Sequence, residues 1–171
     1  MKTKRFSLDR HGLLKLKTLL NMPKYVTMTS GLEKLPYSVC PMTLQHMDEQ
    51  GNLWFITSKL NAICTTIQFD NRVQVIYNDP NSHNCITIFG TAEPVNDTDK
   101  MSELWIPLMY AWFKVKDNSE LMLVRLKIET ADYWDNQNNK LVSFFMNSQS
   151  RFDHGDKPVI GSNQLNSLEL Q

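Results

Sequence analysis

At 171 residues the chain can bury one core and is too short for two ordinary ones, so it reads as a single domain over 1–171. Its 18 Lys plus Arg balance 18 Asp plus Glu, which leaves no basic footprint for nucleic acid, and 42% hydrophobic residues is ordinary for a soluble globular chain. No apolar run approaches the roughly 18 residues of a membrane span, and Asp9, Arg10 and Lys15 interrupt any signal-peptide core behind the basic start, so a cytoplasmic protein with no membrane partner is expected.

In chain order, residues 1–20 read as an N-terminal helical segment. Leu13, Leu16 and Leu20 fall at helical spacing from Asp9 onward, lysines take the other face, and Pro23 marks the stop. Lys24–Ser30, rich in β-branched and aromatic residues and closed by Gly31, is a strand and turn. Tyr37–Gln45 is a strand whose Pro41 cannot donate a ladder hydrogen bond, so it lies at an edge or carries a bulge. Leu53–Thr57 is apolar on both faces and predicts a strand covered on both sides. Leu60, Ile63, Cys64 and Ile67 follow helical spacing, which predicts a short helix opening just after Thr57 and Ser58.

Val73, Val75 and Tyr77 alternate with Arg72 and Gln74 in a half-buried strand, and Asn78-Asp79-Pro80-Asn81 is turn chemistry. Asn84–Phe89 is a strand expected to stop at Gly90. Asp97, Thr98 and Asp99 offer N-caps for a helix carrying Met101, Leu104, Trp105, Leu108 and Trp112, broken midway at Pro107. Met122, Val124, Leu126 and Ile128 alternate with Arg125, Lys127 and Glu129, a strand with one wet face. Lys140–Met146 fits strand or helix equally, and 151–171 reads as an irregular tail or a late strand.

Cys40, Cys64 and Cys85 form no Cys-x-x-Cys pair, have no histidine at ligand spacing and sit in apolar contexts, so they read as buried reduced thiols and no metal is expected. His11, His46, His83 and His154 are scattered, and no local signature of a catalytic nucleophile accompanies them. About six short strands separated by turns, with few helices, argue a mainly β (α+β) fold, a small antiparallel barrel with flanking short helices.

An ordered set of motifs sharpens this expectation. Cys40-Pro41-Met42 is followed by Gly51-Asn52-Leu53-Trp54-Phe55-Ile56-Thr57, then Val75-Ile76-Tyr77-Asn78-Asp79-Pro80, a strand closing on Gly90, Glu103-Leu104-Trp105 and Tyr133-Trp134-Asp135. The order resembles the pyridoxamine 5'-phosphate oxidase-like FMN-binding split barrels, in particular their general stress protein branch, over roughly residues 20 to 165. The resemblance implies a six-stranded antiparallel split β-barrel, a homodimer, and FMN at the subunit interface.

It also implies a contact set. The family's first phosphate-binding arginine falls on Cys40, its second cation on Gln45, and its Ser-Arg-Lys run on Asn61, Ala62 and Ile63, so four positive positions become neutral here. Charge-assisted bonds to phosphate contribute about 1.5–3 kcal/mol each, which makes this a large loss. Thr57 is kept, with Ser58, Lys59 and Asn61 beside it at the expected helix start, where backbone N–H groups and a positive partial charge suit a phosphate. Trp134 falls where the family places an aromatic near the flavin ring, and Trp105 and Trp112 could line the same cleft from a partner subunit.

The implied cofactor-binding set is therefore Cys40, Gln45, Ile56, Thr57, Ser58, Lys59, Asn61, Ile63 and Trp134. The family's substrate-binding Arg-x-His pair and following arginine fall on Lys140, Val142 and Phe144, which argues against a true pyridoxamine phosphate oxidase. No residue presents itself as a catalytic acid or base. The expectation is a weak FMN binder and a flavin-dependent oxidoreductase. The alternatives are a non-enzymatic dimeric binding protein that has lost the flavin phosphate site, or a structural dimer whose cleft is plugged by Ile56, Ile63 and the tryptophans.

Overall fold

The computed structural model describes residues 2–20, 24–105 and 120–145. The elements run β1 (Lys2–Ser7), α1 (Arg10–Leu20), β2 (Lys24–Ser30), β3 (Ser38–Met47), β4 (Asn52–Ser58), α2 (Ala62–Phe69), β5 (Arg72–Asn78), β6 (Cys85–Val95), α3 (Thr98–Glu103), β7 (Leu121–Asp135) and β8 (Lys140–Phe145). Strand order is β1-β8-β7-β4-β3-β2-β5-β6, and β6 pairs back onto β7. The six strands β7-β4-β3-β2-β5-β6 thus close an antiparallel barrel, as the motif order implied.

β7 is the strand that joins the parts. It borders β4 through Leu121–Lys127 and β8 through Thr130–Asp135 on one edge, while β6 follows its other edge from Leu123 to Trp134. β1 lies parallel to β8, matching Lys2 with Lys140 and Ser7 with Phe145. The stretch expected to be helical from residue 1 therefore opens as a strand, and only Arg10–Leu20 is helix. Phe6 supplies the reason, stacking on Phe144 of β8 at 5.5 Å between ring centroids.

Two apolar clusters hold the fold. The larger fills the barrel with Met28, Leu44, Phe55, Val75, Ile88, Val124 and Leu126, and α1 adds Leu16 and Leu20 to it. The smaller lies on the opposite face of β4 and β7: Trp54, Ile56, Leu121 and Leu123 pack beneath Met101 and Leu104 of the α3 region. β4 is consequently buried on both sides, as its sequence predicted. The expected wet face of β7 is dry at Leu121 and Leu123 because α3 covers it.

Three local expectations change in detail. β6 does not stop at Gly90 but continues to Val95; the register with β7 shifts between Phe89 and Gly90, and a Cβ at Gly90 would sit 2.0 Å from the Lys127 carbonyl oxygen. Glycine here permits close backbone approach at a bulge rather than ending a strand. Pro41 pairs with Thr27 on β2, in the part of β3 where no β4 pairing remains, and the bulge falls between Leu44 and His46. Leu60 is 92% exposed and outside the helix, because Asn61 rather than Ser58 caps α2. Lys140–Phe145 resolves as a strand, buried through Leu141–Phe144 between β7 and β1. The break at Pro107, the positions of Leu108 and Trp112, and the 151–171 tail lie outside the described residues.

Candidate functional site

The junction between β4 and α2 gathers most of the polar residues singled out from the sequence. Asn61 organises it. Its side-chain oxygen accepts the Ile63 N–H at 3.1 Å, its Nδ2 donates to Thr57 Oγ1 at 3.1 Å, and its carbonyl accepts the Cys64 N–H at 2.9 Å. An extended Asn with its side chain turned onto the first helical turn is a favoured N-cap. Thr57 is buried, Ser58 half-buried and Lys59 exposed. β3 pairs with β4 only as far as Leu44 opposite Phe55, and Cys40 lies beyond that point, opposite Met28 of β2. The Asn61 side chain also acts on the Cys40 thiol. Burial pushes the Cys40 thiol up, and Asn61 offsets part of that rise.

Four members of the implied set lie elsewhere. Ile63 is fully buried in the barrel core, so the position corresponding to a family lysine points away from solvent. Ile56 belongs to the other cluster, on the opposite face of β4, which separates it from Ile63 and removes the joint plug the two were expected to form. Gln45 sits at the β3 bulge, buried, with Nε2 donating to the Thr43 carbonyl at 3.3 Å. At about 3.3 Å per residue it is roughly 16 Å along the strand from Cys40.

Trp134 is more distant still. Thr57 pairs with Met122 on β7, and Trp134 lies twelve residues further along that strand, about 40 Å of strand path. It is half-buried between Cys85 of β6 and Leu141 of β8.

Two further polar clusters were not foreseen as such. On the outer face, Asp48 accepts the Asn52 N–H at 2.8 Å, Asn52 Nδ2 at 2.9 Å and the Trp54 indole N–H at 2.9 Å. Burial works to raise this carboxyl, yet the hydrogen bonds outweigh it and hold Asp48 below its ordinary value. Lys100 and Arg125 lie 5.8 and 5.9 Å from the Trp54 ring centre, and Arg125 also pairs with Glu93. His46, opposite Trp54, is pushed down by burial and then by Lys17 and Lys100.

At the far end, Asn84 Nδ2 donates to Tyr133 Oη at 2.8 Å while its Oδ1 accepts the Asn136 N–H at 2.9 Å. Lys24 Nζ donates to Tyr77 Oη at 3.1 Å. The signal for this end was present in the Tyr-x-Asp-Pro and Tyr-Trp-Asp motifs, whose two tyrosines both pair with Ile86. Among the described residues no group of three or more His, Cys, Asp or Glu could hold a metal ion, and no helix is long and apolar enough to cross a membrane.

The junction fits a phosphate only in part. Lys59 N–H is bonded to the Glu120 carbonyl, Asn61 N–H to the Ser58 carbonyl, and Leu60 N–H to Ser58 Oγ, so these backbone donors are engaged within the fold. The Asn61 side chain is engaged by the cap and by Thr57. Charge for a phosphate comes from the exposed Lys59, supported by the Ser58 hydroxyl, which can still donate.

The fold places the chain among known proteins. A protein related to general stress protein 26, from Clostridium acetobutylicum, is similar with a TM-score of 0.65 at 17% identity, covering 81% of this chain and 96% of that one. A general stress FMN/FAD binding protein from Xanthomonas citri superposes with a TM-score of 0.61 at 25% identity, covering 75% of this chain and 91% of its own. A heme binding protein from Mycobacterium smegmatis shares the fold at 12% identity and a TM-score of 0.58, over 77% of this chain and 56% of that one. No curated protein matches the chain. The family model described as "Pyridoxamine 5'-phosphate oxidase like" matches residues 15–157, from within α1 to beyond β8, and the chain belongs to that family.

Proposed function

We propose that this protein is an FMN-binding split barrel that acts as a cytoplasmic homodimer, a flavin-dependent oxidoreductase that holds its cofactor loosely. The phosphate would lie at the β4–α2 junction near Ser58 and Lys59, with Cys40 where relatives carry an arginine. The ring would lie against Trp134 contributed by the second copy, since one chain holds the two features about 40 Å of strand apart. Bound flavin would supply the redox chemistry, and the chain's task would be to bind and orient it. The observation that carries this reading is the gathering of Thr57, Ser58 and Asn61 at one strand-to-helix junction of a barrel in this family. A second reading, a non-enzymatic dimeric binding protein whose phosphate site has been lost, is favoured by one fact: the Asn61 side chain is already engaged in capping α2 and in bonding Thr57.

Parallel fluorescence titrations with FMN and riboflavin separate the two, because the ligands differ only in the phosphate. The expected result is tighter binding of FMN than of riboflavin. Cys40→Arg is expected to tighten FMN by at least about tenfold, roughly 1.4 kcal/mol and the low end for a charge-assisted bond, without changing riboflavin. Equal affinities for both ligands, unmoved by Cys40→Arg, would leave the second reading standing and the first refuted.

A further inference from the structure

Midway along β7, two cavities meet at one cation. The first, of about 400 Å³, is ringed by Asn52, Asn71, Thr91, Glu93, Arg125 and Lys127. The second, of about 320 Å³, lies between the start of α1 and the β3–β4 turn, with Leu8, Leu13 and Ile128 as apolar walls. Asn52 and Lys127 line both. The ladder explains the meeting: Lys127 pairs with Asn52 across one edge of β7 and with Thr91 across the other, so the three share a face. The apolar cleft is held in shape by its own packing. Ile128 is buried, and Leu13 lies so close on Gly51 that a Cβ there would come within 2.5 Å of Leu13 Cδ2.

The carboxylates of these walls are already engaged, and the lysine is not. Glu93 is held by Arg125, whose Nε donates to its Oε1 at 2.8 Å. Asp9 accepts the Gly12 N–H at 3.0 Å and serves the positive end of α1. Lys127 is exposed, and among the described residues no carboxylate pairs with it. Asn52 gives one amide hydrogen to Asp48 and keeps the other, and Thr91 adds a hydroxyl.

We infer that the paired cavities bind an organic monocarboxylate with a medium-length apolar tail. Lys127 takes the carboxylate, with the Asn52 amide and the Thr91 hydroxyl as further donors, and the tail lies along Leu8, Leu13 and Ile128. One unneutralised ammonium matches one negative charge, whereas a phosphomonoester would bring nearly two. Polar head and apolar cleft together meet the ordinary requirements of a small-molecule site. The site stands apart from the β4–α2 junction, since Asn52 and Ser58 are the opposite ends of β4, and it does not depend on flavin.

The full-length, isotope-labelled protein is titrated with octanoate and with octanol, and amide signals are followed by nuclear magnetic resonance. Octanoate should saturate, moving signals confined to residues 7–13, 50–52, 91–93 and 125–128. It should bind at least about tenfold more tightly than octanol, which has the same tail without the charge. Lys127→Glu should weaken octanoate by a similar factor and leave octanol unchanged, while Lys127→Arg should retain octanoate. The comparison of acid with alcohol in the unaltered protein decides the matter should a variant fail to fold. Equal affinity for the two, shifts clustered elsewhere, or octanoate binding undiminished in Lys127→Glu would each overturn the assignment.

Discussion

Asp48 carries more of the outer face than its place in a hairpin turn suggests. Its carboxylate takes hydrogen bonds from Asn52 and from the buried indole N–H of Trp54, so removing it strands donors that cannot all reach water. Asp48→Ala is expected to cost about 1–3 kcal/mol at neutral pH, read from urea midpoints. The sign of its pH dependence follows from linkage. A carboxyl held below its ordinary value contributes stability that is present above the unfolded value and lost as pH falls through the folded one. The gap between wild type and Asp48→Ala should therefore narrow on acidification below the usual carboxylate range; an unchanged gap would show that the charge contributes nothing.

Individual residues also mark where reading the sequence ran out. Asn61 was legible as a capping type, but which residue capped the helix depended on whether it began at 59 or at 62. Ile63 shows the same ambiguity with a larger effect. By position it replaces a cation, yet it is fully buried, so a lysine there would enter the core without a partner.

Elements were most legible where hydrophobic alternation is local. Lys24–Ser30 was read to its boundaries, and Arg72–Asn78 and the first half of β7 showed their pattern plainly. β1 was not legible, because its partner β8 lies some 138 residues away and Lys2–Ser7 has no alternation of its own. Gly90 was ambiguous in a different way: a glycine either ends a strand or admits another backbone, and only the β6–β7 pairing decides. Gly90→Ala drives a Cβ toward a backbone oxygen that no side-chain rotation can relieve. Overpacking of this kind reaches about 3 kcal/mol, which for a chain of this length is roughly 6–12 °C in Tm. A calorimetric shift of only one or two degrees would mean that the seam yields easily.

At the scale of the whole molecule, the closed six-stranded antiparallel barrel was legible through the motif order, whereas the placement of the site was not. A contact set carried over by position cannot reveal that Trp134 lies twelve residues along β7 from Met122, the partner of Thr57 on β4. A second copy is the simplest way to bring such features together. Beside the β2–β3 wall, Tyr25, Leu35, Tyr37 and Val39 are 53%, 80%, 48% and 60% exposed, apolar surface of the sort that partners cover. We expect a dimer by sedimentation at micromolar concentration, with an interface above roughly 1,000 Å². Linkage adds that FMN affinity should weaken on dilution below the dimer dissociation constant. A monomer at that concentration that still binds FMN would remove the interfacial site.

The change of partner along β7 has a dynamic consequence. From Leu121 to Lys127 the strand belongs to the closed wall, whereas from Thr130 its outer neighbour is β8, itself backed only by β1. Peeling β8 and β1 away would break ladders on one side of Thr130–Asp135 and leave the β4 seam untouched. Such opening would be local, and it would also expose Val142 and Phe144 of the main core. Thr57 lies on the seam that such opening leaves paired, whereas Trp134 would keep its β6 neighbour and lose the one on β8. An aromatic wall at Trp134 would inherit that breathing, while the junction around Asn61 would stay still beneath it.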